Sequence, residues 1–126
     1  MANYRYIDDF SIGDTYKLIR NLDSVPDDQV IVDAYWTVKP TLTTLDIDAP
    51  INIHITQFTS ASGIGEITNY ADGTVRLQFI ANPDDVGALT SNQTYFYDVH
   101  VNLYSGEKYV LEYGKLFTGM HVRHSH

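Results

Sequence analysis

Four stretches of the chain alternate between apolar and polar positions with a period of two. From Gln29 to Lys39, Val30, Val32, Ala34, Trp36 and Val38 fall on one face, and Ile31, Asp33, Tyr35 and Thr37 on the other. Ile51, Ile53 and Ile55 alternate with Asn52, His54 and Thr56, and Val75, Leu77 and Phe79 alternate with Arg76 and Gln78. Tyr95, Tyr97, Val99, Val101 and Leu103 alternate with Phe96, Asp98, His100 and Asn102. This period is that of a strand with one face buried and one face wet. Weaker strands fit Asp14 to Asn21, Ile64 to Tyr70 and Glu107 to Val122. Gly114 is read as a bulge or bend at which the last alternation changes phase.

Turn chemistry punctuates these strands. Asp72-Gly73 and Ser105-Gly106 suit tight hairpins, because Gly and Asp tolerate positive φ. Pro26-Asp27-Asp28 and the stretch from Pro40 to Pro50 read as looser connections. Asn82 to Leu89 is the one predicted helical turn: Asn82 caps it, Pro83 occupies its first position, and Asp84 and Asp85 sit favourably on its dipole.

Composition agrees with strands. Val, Ile and Thr number 33 and aromatics 16, which is strand-forming stock. Asp outnumbers Glu 13 to 3, and Asp favours turns where Glu favours helices. With 126 residues the chain fits one domain, predicted to span 1–126 with 1–12 and 123–126 peripheral. The absence of cysteine excludes disulfides and thiolate sites. A net charge of −8 with eight scattered basic residues argues against nucleic acid and anionic membranes as partners. No apolar run approaches the roughly 20 residues of a membrane span. The start lacks a signal peptide's layout and reads as a mature cytosolic start, so synthesis in a cytoplasm without signal-peptide secretion is expected.

Candidate chemistry is sparse. His54 and His100 lie on polar strand faces and could meet as a metal pair, but ligation also needs a third group. Asp46 and Asp48 could converge on calcium, yet lack the glycine and downstream Glu of an EF-hand loop. His121, His124 and His126 read as a frayed tail. The acidic pairs Asp8-Asp9, Asp27-Asp28 and Asp84-Asp85 point apart on an extended chain, where acid–base catalysis needs convergence. The sequon Asn92-Gln93-Thr94 is expected to be fortuitous. No catalytic residue, cofactor site or metal site is therefore assigned, and the chain is expected not to be an enzyme. Exposed aromatics, with Tyr35, Phe96, Tyr104 and Tyr113 as candidates, suit an interface or a sugar-stacking platform.

Tyr95 enters its strand just after the Asn82–Leu89 corner, which resembles the tyrosine corner of immunoglobulin-like sandwiches, with Trp36 as the matching core aromatic. The predicted fold is all-β: an immunoglobulin-like antiparallel sandwich of seven or eight strands, with Trp36, Tyr95 and Tyr97 as structural anchors.

Between Asp72 and Val122 the succession Asp72-Gly73-Thr74-Val75-Arg76-Leu77, Asn82-Pro83-Asp84-Asp85, Leu89, Tyr95-Phe96-Tyr97-Asp98-Val99 and Gly106 to Leu116 is similar to small immunoglobulin-like domains of bacteriophage virion proteins, including the N-terminal domain of baseplate upper proteins. Asp14-Thr15-Tyr16 and Tyr35 to Lys39 resemble the opening strands of that family. The resemblance implies a non-enzymatic virion subunit of tail, baseplate, neck or capsid decoration, bound to other virion proteins or to copies of itself. A small-ligand or carbohydrate-binding sandwich module is the alternative. The closing strand from Glu107 to Val122 is expected to be an open edge blunted only by Lys108, Glu112 and Lys115, with Tyr109, Tyr113 and Phe117 as interface candidates.

Overall fold

The computed structural model describes residues 3–11, 15–23, 25, 30–41, 43, 49–56, 64–82, 89–90 and 92–119. Eight strands follow one another: β1 (Asn3–Ser11), β2 (Tyr16–Leu22), β3 (Ile31–Lys39), β4 (Ile51–Thr56), β5 (Gly65–Asn69), β6 (Val75–Ala81), β7 (Thr94–Leu103) and β8 (Lys108–Gly119). They form a five-stranded sheet of order β1-β8-β7-β3-β4 and a three-stranded sheet of order β2-β6-β5. Among the described residues there is no helix. Pro83 to Ala88, the body of the expected helical turn, lie outside them, as do Asp46, Asp48 and the tail from 120 to 126.

Alternating side chains explain the packing. Ala34, Trp36 and Val38 of β3, the three isoleucines of β4, and Val75, Leu77 and Phe79 of β6 are all buried between the sheets. Phe10, Tyr16, Trp36 and Phe79 gather into one aromatic cluster, with Trp36 6.3 Å from Phe10, 5.9 Å from Tyr16 and 6.2 Å from Phe79. Both hairpin turns use their glycines at positive φ: 90° at Gly73 and 93° at Gly106.

The fold is immunoglobulin-like. The run β8-β7-β3-β4 corresponds to strands G, F, C and C′ of a variable-type domain, and β2-β6-β5 to B, E and D. Trp36 sits fully buried on the strand equivalent to C, its expected place.

Five expectations need correction. Residues 3–11 are not peripheral: they form β1, whose Ile7 and Phe10 are buried. The sandwich is not wholly antiparallel, since β1 pairs with β8 in parallel. For the same reason β8 is no edge: it lies between β1 and β7, and the edges of the larger sheet are β1 and β4. Finally, the phase change in β8 occurs near Leu111, where the register slips between Val99/Glu112 and His100/Val110. Gly114 has another task. A Cβ there would stand 1.8 Å from the Arg5 carbonyl oxygen, so glycine is what lets β1 come alongside. A second slip, between Ile31 and Asp33, buries Ile31 and leaves Val30 exposed, reversing their predicted faces.

Candidate interaction face

Two polar constellations and one broad surface emerge from this frame. The first constellation is buried. Glu112, only 3% exposed, points from β8 into the sandwich because the slip at Leu111 turns it inward. Arg20 reaches it from the facing sheet in a two-pronged contact: Nε donates to Oε1 at 2.6 Å and Nη2 to Oε2 at 2.9 Å. The Tyr97 hydroxyl donates to Oε2 at 2.5 Å, and Arg5 Nε approaches Oε1 at 3.4 Å. Burial would raise the Glu112 pKa, but the hydrogen bonds from Arg20 and Tyr97 outweigh it and hold the carboxyl below the usual glutamate range. The same burial, with the carboxylate beside it, pushes the Tyr97 phenol well up. A network of this kind, with two guanidinium groups and a phenol on one buried carboxylate, fastens two sheets. Tyr97 also stands two residues after Tyr95, where antibody domains place the second cysteine of the inter-sheet disulfide.

Tyr95 and Thr118 fasten the corner before β7. The Thr90 amide donates to the Tyr95 hydroxyl at 2.8 Å. Thr118, fully buried at the end of β8, donates through Oγ1 to the Thr90 carbonyl at 2.5 Å and accepts from the Gln93 amide at 3.1 Å. Asn92 takes positive φ, 57°, within this corner. The contribution of Thr118 was not read from the sequence.

The second constellation lies on the outer face of the five-stranded sheet. Tyr35 of β3 is opposite His54 of β4 and His100 of β7. Its ring stacks on both imidazoles, with centroids 4.2 Å and 4.8 Å away and planes 3° and 13° apart. Asp33 Oδ1 lies 2.6 Å from His54 Nε2, and Asp98 Oδ1 3.1 Å from His100 Nδ1. The histidines thus stand on opposite sides of Tyr35, too far apart to share an ion. Among the described residues no three His, Asp or Glu side chains could hold a metal. Tyr35, moreover, has both ring faces covered and offers neither to a sugar.

Neighbouring rows of this face follow from the register. Thr37, Asp98, Tyr113 and Tyr4 form one row, and Lys39, Phe96, Lys115 and Tyr6 the next. Tyr4 and Tyr113 are half exposed and meet edge to face at 5.5 Å. Tyr4, Phe96, Tyr113, Thr37, Asp98 and the two lysines line a mostly apolar pocket of about 300 Å3. Of the three interface candidates, Tyr113 is exposed here and Phe117 half-buried further along β8. Tyr109 instead leans on the core, so the three do not form one patch. Tyr104, at 78% the most exposed aromatic among the described residues, belongs to the β7–β8 turn and stands apart from the row.

The fold and face define an immunoglobulin-like domain with a wide, aromatic outer sheet. Neither a family profile nor a curated protein matches the sequence. Among solved structures it is similar to Dpr1 IG1 in its crystal structure bound to DIP-eta IG1, at 13% identity over 93% of this chain and 88% of that one, with a TM-score of 0.33. It is also similar to part of a Vibrionaceae Photobacterium sp. JT-ISH-224 2,6-sialyltransferase solved with CMP and lactose, at 14% identity, a TM-score of 0.26, and 93% of this chain against 18% of that one. At these scores neither likeness bears on the assignment, which rests on strand order, Trp36 and the Tyr95 corner.

Proposed function

We propose that this chain is a non-enzymatic protein–protein interaction domain that joins a larger assembly through the outer face of its five-stranded sheet. One observation carries the reading: Tyr4, Tyr6 and Tyr113 remain half exposed on that face, beside the Tyr35 stack and the Phe96 pocket. Contiguous exposed aromatics rimmed by polar groups mark contact surfaces. The assembly we assign is a bacteriophage particle, in tail, baseplate, neck or capsid decoration. Support for that finer assignment is the similarity of the Asp72–Val122 motifs to virion immunoglobulin-like domains. A sugar-binding module is disfavoured by Tyr35, whose ring faces are both occupied.

The test is to purify particles of the source phage and search them for this chain by mass spectrometry, then to ask whether a Tyr4→Ser/Tyr113→Ser double variant still incorporates. The chain should be present and the variant excluded. Its absence from particles rejects the virion role, and full incorporation of the variant rejects the face.

A further inference from the structure

The end of the sandwich away from the Tyr95 corner carries a surface distinct from the outer face. Short bonds draw its loops together: the Asn69 side chain meets both the amide and the carbonyl of Ile31 at 3.4 Å, and the Tyr104 amide donates to the Val30 carbonyl at 3.0 Å. Asp23, Val25, Val30 and the run from Asn69 to Val75 line an open pocket of about 420 Å3 there. Val30, Tyr70 and Tyr104 are all exposed around it, and exposed apolar groups gathered at one place mark a contact surface.

The charge at this end is one-sided. Segments 23–30 and 69–75 contain Asp23, Asp27, Asp28 and Asp72, and no lysine, arginine or histidine. The bases that flank these loops in sequence are directed elsewhere. Arg20 is held by Glu112, Arg76 alternates with buried Val75 and so belongs to the outer face of the smaller sheet, and Lys108 stands opposite Asn102 on the larger one. Asp72 is fixed in place: its Oδ1 accepts from the Thr74 hydroxyl at 2.6 Å and from the Thr74 amide at 3.0 Å. Those two bonds hold its carboxyl below the usual aspartate range, so it stays ionised in mild acid, and its Oδ2 accepts nothing from the described residues.

We propose that this loop end is a second contact surface, which takes an arginine-bearing segment of a partner protein, its guanidinium meeting the Asp23 and Asp72 carboxylates and lying against the Tyr70 ring. Guanidinium suits both halves of the site, because it pairs with carboxylates through a planar fork and stacks on aromatic faces. A chain of net charge −8 also draws a basic segment in and repels an acidic one. Docking through the outer face leaves this end open, so the partner is a protein met outside that contact.

The full chain, labelled with nitrogen-15, would be titrated at low salt with a short synthetic peptide of arginines separated by glycines, and separately with its glutamate counterpart and with calcium chloride. The arginine peptide should shift the amides of Val30, Tyr70, Asp72, Gly73 and Tyr104 and leave those of Tyr4, Phe96 and Tyr113 unmoved. Its affinity should fall by roughly threefold or more as salt rises to physiological strength. Asp72→Asn keeps an oxygen for Thr74 and should weaken binding by about threefold, as should Asp23→Asn, the usual weight of an exposed ion pair. Tyr70→Ala should weaken it by a similar factor, about threefold. Glu66→Gln removes the same charge from the outer face of the smaller sheet and should change nothing. An equal loss with Glu66→Gln would reduce the effect to net charge and overturn the inference. So would equal binding of the glutamate peptide, shifts located elsewhere, no shifts at all, or the same shifts produced by calcium at lower concentration than the peptide. The particle test reads a different surface: exclusion of the Tyr4→Ser/Tyr113→Ser variant, with no arginine-peptide binding, keeps the outer face and removes the loop end.

Discussion

At the scale of single residues, stability hinges on Glu112. Arg20→Met leaves the buried Glu112 carboxylate with only Tyr97 and the more exposed Arg5, so it should cost about 2–3 kcal/mol. Pairing it with Glu112→Leu should restore most of that, and a double-mutant cycle by denaturant titration measures the coupling. The pH dependence has a definite sign. Glu112 has a folded pKa below its unfolded value, so its contribution is present above the ordinary glutamate range near pH ~4.3 and is lost as pH falls through the folded value. Tyr97 is the mirror case: its raised pKa makes its contribution full below pH ~10 and lost as pH rises beyond. A Glu112→Gln variant should therefore show a shallower loss of stability in acid than the parent. Tyr95→Phe removes the acceptor of the Thr90 amide and should cost about 1 kcal/mol, because Thr90 is exposed and water partly replaces the bond. Equal midpoints for Tyr95→Phe and the parent would show that the corner does not depend on this hydroxyl. Tyr95 could be placed from the sequence because its partner is five residues away. Glu112 could not: it was read as an edge charge. Its inward turn depends on a register slip, and its partner Arg20 lies 92 residues away in sequence.

At the scale of elements, β1 is where local pattern failed, and the reason is physical. Its buried side chains among those described, Ile7 and Phe10, are three residues apart because the pairing with β8 slips between them. Period two is broken, so the stretch does not read as a strand. Yet Phe10 is 1% exposed and packs 4.8 Å from Tyr16, ring centre to ring centre. Phe10→Ala should then cost about 3–5 kcal/mol, read from the shift in the denaturation midpoint. Peripheral residues would give almost none. Gly114→Ala poses the narrower question. Its Cβ would meet the Arg5 carbonyl, so β1 must lift away, and hydrogen exchange should quicken at the amides pairing β1 with β8 while those of β2 and β6 stay protected. The strands β4 and β6 were legible throughout and β3 and β7 over most of their length, because the alternation there is unbroken except at the register slips and packs one face on the core.

At the scale of the whole molecule, strand order decides what is offered to a partner. Local alternation says that Tyr113 and Tyr35 face away from the core, but not that β1, β8, β7, β3 and β4 lie side by side. That order creates the continuous outer face, the sandwiching of Tyr35 and the pocket between Tyr4 and Tyr113. It also puts the edges of the larger sheet at β1 and β4 rather than at the aromatic closing strand. The central claim is that this face, rather than an edge or the smaller sheet, is the contact surface. Hydroxyl-radical footprinting of the chain, free and within its native assembly, tests it most directly. Protection concentrated on Tyr4, Tyr6, Tyr113 and His54, with Tyr70 beyond the smaller sheet unchanged, is the predicted result. Protection confined to Tyr70 and the three-stranded sheet, or none on the outer face, would contradict it.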